Sequence, residues 1–355
     1  MSGAETLDVT RAFLARFVTF PSPAALDVVT LWSAHTHVTD RDGRLAFDTT
    51  PRLAFLSQGP KSGKTEALNR VTDLSHNGST MVDPTHAGFA QSIGEGCATV
   101  TIDELDVLFG AGSAKATLRS LLNAGYKQGA EWKRAGKAPV SVFGAVAMAG
   151  MDAKFRNAEP LSALRSRTIM VQMTPGRAPE IYRGRLHDPT ARAIRAGLAS
   201  WCRHHRSRIL ANYPDEFEGI SGRDLEISEP LLMVADAAGG RWPDAARVAL
   251  RELLLGADDA NHEDAPTLVA SLLSDLRAVF GTAPKLPTAD IVAALRAIPG
   301  APWRELWPSV DNAPRELAAL LAPIGVVPVR VRLGKLTVRG YQRADLVPHW
   351  SALAA

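Results

Sequence analysis

An α/β fold with a parallel sheet is predicted by three features of the sequence: an apolar strand running into a glycine-marked turn, a helix directly after that turn, and a second apolar run ending in two carboxylates. The first strand is Leu53-Ala54-Phe55-Leu56, bounded by Pro51 and by Gln58-Gly59-Pro60, and its unbroken apolar character fits a strand buried on both faces. Glu66-Ala67-Leu68-Asn69-Arg70-Val71 then favours helix. The second run, Cys97 to Ile102, is small and β-branched and ends in Asp103 and Glu104. Ligands of open α/β sheets bind at such strand tips.

The turn between the first strand and its helix reads Gly59-Pro60-Lys61-Ser62-Gly63-Lys64-Thr65. A phosphate-binding loop has the pattern G-x-x-x-x-G-K-[ST]. Gln58 stands where the first glycine belongs, so Gly59 is expected to supply the positive φ one place later. N–H groups around Ser62, Gly63 and Lys64 form an anion nest, Lys64 reaches the outer phosphates, and the Thr65 hydroxyl binds Mg²⁺. The expected ATP-binding set is Gly59, Pro60, Lys61, Ser62, Gly63, Lys64, Thr65 and Glu66. Asp103 is expected to hold Mg²⁺ with Thr65, and Glu104 to orient and deprotonate the attacking water. A surface turn rich in Gly, Pro and Ser is the plainer reading of the loop alone. The acidic pair at a strand tip is what favours the P-loop NTPase reading.

Composition sets the frame. With 355 residues, 46% hydrophobic and 22% charged, the chain is long enough for two or three soluble domains. Neither a signal peptide nor an apolar stretch of spanning length is visible, which predicts a cytoplasmic protein with no membrane association. Cys97 and Cys202 are isolated in sequence and suit a reducing compartment. Net charge is only +3, yet Lys115, Arg119, Lys127, Lys133, Arg134 and Lys137 face a single acid, Glu131, within their stretch, and Arg330, Arg332, Lys335, Arg339 and Arg343 face none. Such local excess points to an anionic partner, a solvated face being the alternative.

Elements continue in alternation. Ser113 caps a helix over 114–124, and Gly125 to Lys137 reads as a basic, glycine-punctuated hairpin or loop. Val140 to Met148 and Thr168 to Met173 read as strands, with a short helix over Leu161 to Leu164 between them. Four strands alternating with helices predict the parallel sheet.

The expected organisation is an N-terminal helical segment packed on the core (1–50, helices Thr6–Phe17 and Pro23–His35), the P-loop core (51–185), a helical lid (186–255), a linker (256–266) and a winged-helix-like domain (267–355). His35 and His37 lack a third ligand in register, so packing or hydrogen bonding explains them better than metal binding. The lid comprises helices over Pro189–Leu210, Leu231–Ala238 and Pro243–Leu255; Arg223 and Arg241 could approach the γ-phosphate from it, but a solvated helix-end arginine is the plainer reading for both. The acidic stretch 256–266 is poor in large apolar residues. Beyond it, helices over Thr267–Phe280, Thr288–Ala297 and Pro314–Leu321 precede two strands around Gly334-Lys335. Three helices and a hairpin make a winged helix, whose Arg330, Arg332 and Lys335 suit DNA phosphates; protein docking is the other use of such a module.

The succession GPKSGKT, TVTIDELD, LLNAGYKQG, VAMAG, LRSRTIMVQM, PLLMVADAAGGRWPDAAR and VRGYQRADL resembles a family of phage and bacterial P-loop ATPase domains of the AAA+ and superfamily 3 helicase-like kind, often joined to primase–polymerase modules. The resemblance runs from LWSAHTH at residues 31–37 to the C-terminus. It implies a ring-forming, homo-oligomeric and most simply hexameric motor on DNA, a replicative helicase or translocase of a phage or mobile element, with a primase or polymerase as possible partner. Lys64, Thr65, Asp103, Glu104 and Arg167 fall on matching motif positions. Arg167, ahead of Arg165, occupies the place of an arginine finger that acts in a neighbouring subunit; a helix-end cation is the plainer reading. The hairpin Gly125–Lys137 corresponds to one that points into the ring channel, offering Lys127, Lys133 and Arg134 to single-stranded DNA and Trp132 or Tyr126 for stacking on a base; a subunit contact is the alternative for Trp132. The departure lies at Met148-Ala149-Gly150, where the family pattern has a polar sensor residue. An ATP-dependent switch or loader for a replication or defence protein remains the second functional class.

Overall fold

The structure, a computed structural model, describes residues 1–59, 61–105, 113–152, 155, 161–217, 219–298, 301–307, 309, 312–333 and 336–352. It divides into two compact units, Met1–Ala257 and Asp258–Ala355. Among the described residues, no helix is long and apolar enough to cross a membrane.

The first unit opens with helices α1 (Gly3–Phe17) and α2 (Pro23–His35). Ser2 starts α1 through a reciprocal capping box with Glu5, satisfying two backbone donors that a helix start leaves open. Strand β1 (Arg52–Ser57) leads into α3 (Lys64–Leu74), followed by β2 (Ser79–Met81), α4 (His86–Gly94), β3 (Val100–Ile102) and α5 (Ser113–Ala124). A hairpin, β4 (Glu131–Arg134) and β5 (Lys137–Ser141), precedes β6 (Val146–Met151). After the short α6 (Ser162–Arg165) and β7 (Thr168–Gln172) come α7 (Gly184–Leu210), α8 (Gly222–Ala238) and α9 (Trp242–Phe280).

Five strands, one more than the sequence predicts, form a sheet in the order β2-β3-β6-β1-β7, and every pairing is parallel. Alternation along β1 divides two cores: Leu53 and Phe55 join α1, α2, α3 and the helices α7 to α9, while Ala54 and Leu56 join α4 and α5. The added strand β2 is short and only partly buried, which explains why no apolar run marks it.

Three local expectations need correction. The apolar stretch 140–148 is two strands, because Val142, Phe143 and Ala145 are buried in the connection between β5 and β6 and so read as strand. Close packing marks the break: a Cβ on Gly144 would lie 2.8 Å from Ile93 Cγ2. Helices α7 and α8 start before Pro189 and Leu231; the extra turn of α7 is anchored where Arg183 N–H donates to His187 Nδ1 at 2.9 Å. Residues 256–266, expected as a linker, do hold the boundary between the two units, but their backbone is helical, part of α9. Scarcity of large apolar residues there does not lower helix propensity, which Ala257, Ala260, Glu263 and Ala265 retain.

In the second unit, β8 (Lys285–Pro287), α10 (Thr288–Ala297), α11 (Trp303–Leu306) and α12 (Ala313–Leu321) precede β9 (Val329–Leu333), β10 (Leu336–Gln342) and α13 (Arg343–Ala352). The three strands pair antiparallel in the order β8-β10-β9. A separate core holds them, with Leu276, Phe280, Ile291, Leu295, Trp303 and Tyr341 at its centre.

Candidate functional site

The loop after β1 carries two unusual backbone conformations. Lys61 has φ 60° and Gly63 has φ 81°, immediately before α3 begins at Lys64. Gly59 is not among the positive-φ residues, so the expectation placed there is corrected: the left-handed turns fall closer to the helix. That is where a nest needs them, since such residues turn successive N–H groups toward one point. A non-glycine at positive φ is strained, and at Lys61 the strain falls within the loop itself. Pro60 lies outside the described residues.

Lys64 Nζ donates to Ser57 Oγ, to Gly59 O at 3.2 Å and to Ser62 Oγ at 3.3 Å. Its ammonium is thus held inside the loop, and burial draws its pKa below the ordinary lysine range against the opposing charge of Asp103. Thr65 Oγ1 lies 3.5 Å from Asp103 Oδ1, which also accepts the Glu104 N–H at 3.0 Å. Two neighbouring ligands of octahedral Mg²⁺ stand ~3 Å apart, so this hydroxyl and carboxylate suit the ion. Glu104 is exposed with φ 60°. Glu66 differs from the rest of the expected set: its carboxylate faces Arg70 Nε at 3.4 Å, one turn along α3, leaving its backbone N–H to the loop.

Sequence reasoning missed two further groups. Strand β6 runs on past Met148-Ala149-Gly150 to Met151, and Asp152 follows it. Gln172 Nε2, at the end of β7, donates to Asp152 Oδ1 at 2.9 Å. Ser57 pairs with Met151 and Leu56 with Gln172, so this polar pair flanks the start of the loop on both sides. A polar side chain thus does stand at the β6 tip, two residues beyond Gly150. Gly150 is small for a packing reason, since a Cβ there would lie 2.6 Å from Leu105 Cβ. The second missed group, Arg52, is fully buried and donates to Leu122 O and Gly144 O. Burial, with the charge of Arg167 adding to it, pulls its pKa down to about 9.

Arg167 lies at the start of β7, and its carbonyl accepts the Arg52 N–H at 2.9 Å. That is the opposite end of β1 from the loop, about 20 Å away for six extended residues. Its guanidinium donates to Ala163 O and Ser166 Oγ and stacks over Tyr126, 4.8 Å from the ring centroid. Arg165 donates to Phe155 O at 3.1 Å. Arg223 and Arg241 are engaged elsewhere: Arg223 with Glu226 at 2.7 Å, Arg241 with Asp27 at 2.9 Å.

The basic hairpin forms, with Glu131 to Ser141 antiparallel and its turn at Ala135-Gly136 exposed. Lys133 is exposed, and Arg134 lies over the Trp132 ring at 4.3 Å, with His86 against the same ring. Tyr126 corrects the stacking expectation. It is 6% exposed, flanked by Arg167 and Arg223, and its hydroxyl accepts from Arg223, so its ring has no free face for a base. Lys127 pairs with Glu226 at 3.1 Å. In the second unit, Arg330 stands directly opposite Arg339 and both are exposed, with Arg332 two residues along β9. Lys335 lies outside the described residues. Arg330, Arg332 and Arg339 form one basic strand surface. Like charges directly opposite across a strand pair repel, a cost that an anion on this surface would relieve.

The first unit is an α/β domain on a five-stranded parallel sheet, with Lys64, Thr65 and Asp103 gathered at its strand tips. The chain belongs to the family described as "Protein of unknown function (DUF3631)", matched over residues 170–352. It is 36% identical over 185 residues, 51% of this chain and 67% of the other, to an uncharacterized 28.9 kDa protein in the xis 5′ region of Saccharopolyspora erythraea. Among solved structures, the crystal structure of Cdc6p from Pyrobaculum aerophilum is similar at 13% identity and a TM-score of 0.24, over 86% of this chain and 87% of that one. That likeness is too loose to carry residues from one chain to the other. The family match starts within β7, so Lys64, Thr65, Asp103, Glu104 and Arg167 precede it.

Proposed function

We propose that this protein is an ATP-hydrolysing, ring-forming motor of the AAA+ and superfamily 3 kind that acts on DNA, a replicative helicase or translocase of a phage or mobile element. The observation that carries the nucleotide site is the convergence of Lys64, Thr65 and Asp103 at the tips of β1 and β3, with Glu104 beside them. ATP phosphates would enter the nest between Lys61 and Lys64. Thr65 and Asp103 would hold Mg²⁺, which neutralises phosphate charge when bound. Glu104 takes the proton from the attacking water, and Asp152, fixed by Gln172, supplies the polar contact for that water.

Arg167 is the group that makes oligomerisation part of the reading. Lying at the far end of the sheet from its own loop, it serves a neighbouring subunit's phosphate and implies a homo-oligomer, a hexamer by resemblance. Lys133 and Arg134 then contact single-stranded DNA, and the second unit is read as a winged helix whose Arg330 and Arg332 take backbone phosphate.

The test is nucleotide hydrolysis by the full chain with and without single-stranded DNA, together with strand displacement on a forked duplex. DNA-stimulated hydrolysis with displacement supports the motor. Hydrolysis that ignores DNA and displaces nothing replaces it with an ATP-dependent switch or loader that binds a replication or defence protein.

A further inference from the structure

A second cavity lies in the first unit, away from the phosphate loop. It measures about 440 Å³ and is lined by His37 and His76, by Asp40 and Arg41 of the loop after α2, and by Arg203 and Arg206 of α7. The arginines repeat at the helical interval of three, on a stripe that begins at Ala199. Like charges at that spacing destabilise a helix. Among the described residues neither Arg203 nor Arg206 forms an ion pair, and Arg206 Nε is buried without a hydrogen-bond partner. Among the described residues lining it, the acid is Asp40, whose Oδ1 accepts the N–H groups of Asp42 and Arg44, each at 2.9 Å.

The two histidines add a second and independent feature. His37 is 4% exposed, its Nε2 is 2.7 Å from Leu74 O, and its Nδ1 is buried with no partner. Burial pushes its pKa down to about 4 despite the contact with Leu74. The ring is then neutral, Nε2–H donates to the carbonyl, and Nδ1 presents a lone pair. His76, whose ring lies beside the Gly43 backbone, lines the cavity next to it. A buried polar atom left unpaired costs free energy that a bound ligand recovers.

We infer that this cavity is a second anion site that binds a phosphate group carrying or adjoining a hydroxyl: the arginines take the anionic oxygens, and His37 Nδ1 accepts from the hydroxyl. Guanidinium forks match phosphate oxygens. The hydroxyl is the P–OH of hydrogen phosphate or a monoester, or the ribose 2′-OH beside a backbone phosphate. The site stands whether or not the phosphate loop turns over nucleotide.

The experiment uses the full chain carrying Lys64→Ala, which silences the first site. Inorganic phosphate binding is measured by calorimetry and by its effect on Tm. Phosphate is expected to bind this variant, and adding Arg203→Ala with Arg206→Ala is expected to weaken it about tenfold or more, as loss of charge-assisted hydrogen bonds does. Both arginines are at least partly solvent-facing, so the fold is expected to survive, and an unchanged circular dichroism spectrum checks it. Arg208→Ala, one charge removed from another side of the same helix, is the control and is expected to leave affinity unchanged. Single-stranded RNA and DNA of one sequence then compete against phosphate: RNA competing better than DNA assigns the site to backbone phosphate with its 2′-OH, and no competition assigns it to free phosphate. No phosphate binding in Lys64→Ala, or equal loss in Arg208→Ala, would overturn the site.

Discussion

Thr65 Oγ1, at the start of α3, and Asp103 Oδ1, just after β3, stand 3.5 Å apart although β6 runs between β1 and β3. The contact is made above the sheet, where β1 turns into α3 and β3 ends. Their proximity therefore depends on three strands ending at one level, and Gly150 lets Leu105 pack against β6 there.

Lys64→Ala should abolish ATP binding, whereas Glu104→Gln should retain binding and lose turnover, since only the second removes the base. Fluorescent-nucleotide titration and phosphate release measure the two separately. Unchanged affinity in Lys64→Ala would rule out the loop as the nucleotide site.

Asp152→Ala should slow turnover by about 10²-fold with little change in ATP affinity, in line with removal of a preorganised polar group beside a reacting one. Gln172→Ala should move kcat in the same direction by a smaller factor, because it removes one hydrogen bond to Asp152 and leaves the carboxylate in place. Equal effects on KM and on Tm, with kcat unchanged, would assign the pair to structure alone.

Arg167→Ala should bind ATP nearly normally and hydrolyse it slowly. Mixed with Lys64→Ala, it should regain part of the activity at interfaces that combine an intact loop with an intact arginine. A monomer fully active at every dilution contradicts a role between subunits.

For a single strand, removing one cation that neutralises a phosphate lowers the slope of log affinity against log salt by ~0.7. Lys133→Ala with Arg134→Ala should lower the single-strand slope and DNA-stimulated hydrolysis. Arg330→Ala with Arg332→Ala should act mainly on duplex binding. If neither pair changes affinity or slope while basal hydrolysis persists, the DNA motor gives way to the protein switch.

Asp27 is 6% exposed and accepts from Arg11 at 2.5 Å and Arg241 at 2.9 Å, joining α1, α2 and the start of α9. Burial works to raise its pKa, but the hydrogen bonds and charges of Arg241 and Arg11 outweigh it and hold the carboxyl below its ordinary value. A depressed carboxylate stabilises the fold above its unfolded pKa of ~3.9, and that stability fades as pH falls through the lower folded value. Asp27→Ala should cost about 2 kcal/mol at pH 7, less than a fully buried pair because both arginines are partly solvated. The difference from the unaltered chain should shrink below pH 4; denaturant melts at pH 7 and pH 3 measure it, and a constant difference would exclude the ion-pair origin.

Local chemistry was legible in the sequence. Gly63-Lys64-Thr65 marks a tight turn into a helix, Asp103-Glu104 marks a polar strand end, and the apolar runs mark β1, β3 and β7. These follow from backbone freedom at glycine, helix-start geometry and side-chain burial, all of which act over a few residues. The helical course of 256–266 escaped the same reasoning because a segment poor in large apolar residues shows no helical periodicity, although its alanines keep helix propensity.

Neighbours along the chain are thus enough to specify the loop, its helix and the acidic pair. Packing between distant segments was needed to settle that β6 separates β1 from β3, that Gln172 reaches Asp152, that Tyr126 is enclosed between two arginines, and that α7 brings Arg203 and Arg206 to His37. The reason is physical: strand order and side-chain partnership are fixed by burial and pairing between segments far apart in the chain, and the residues involved carry no local conformational signal of the partner they meet.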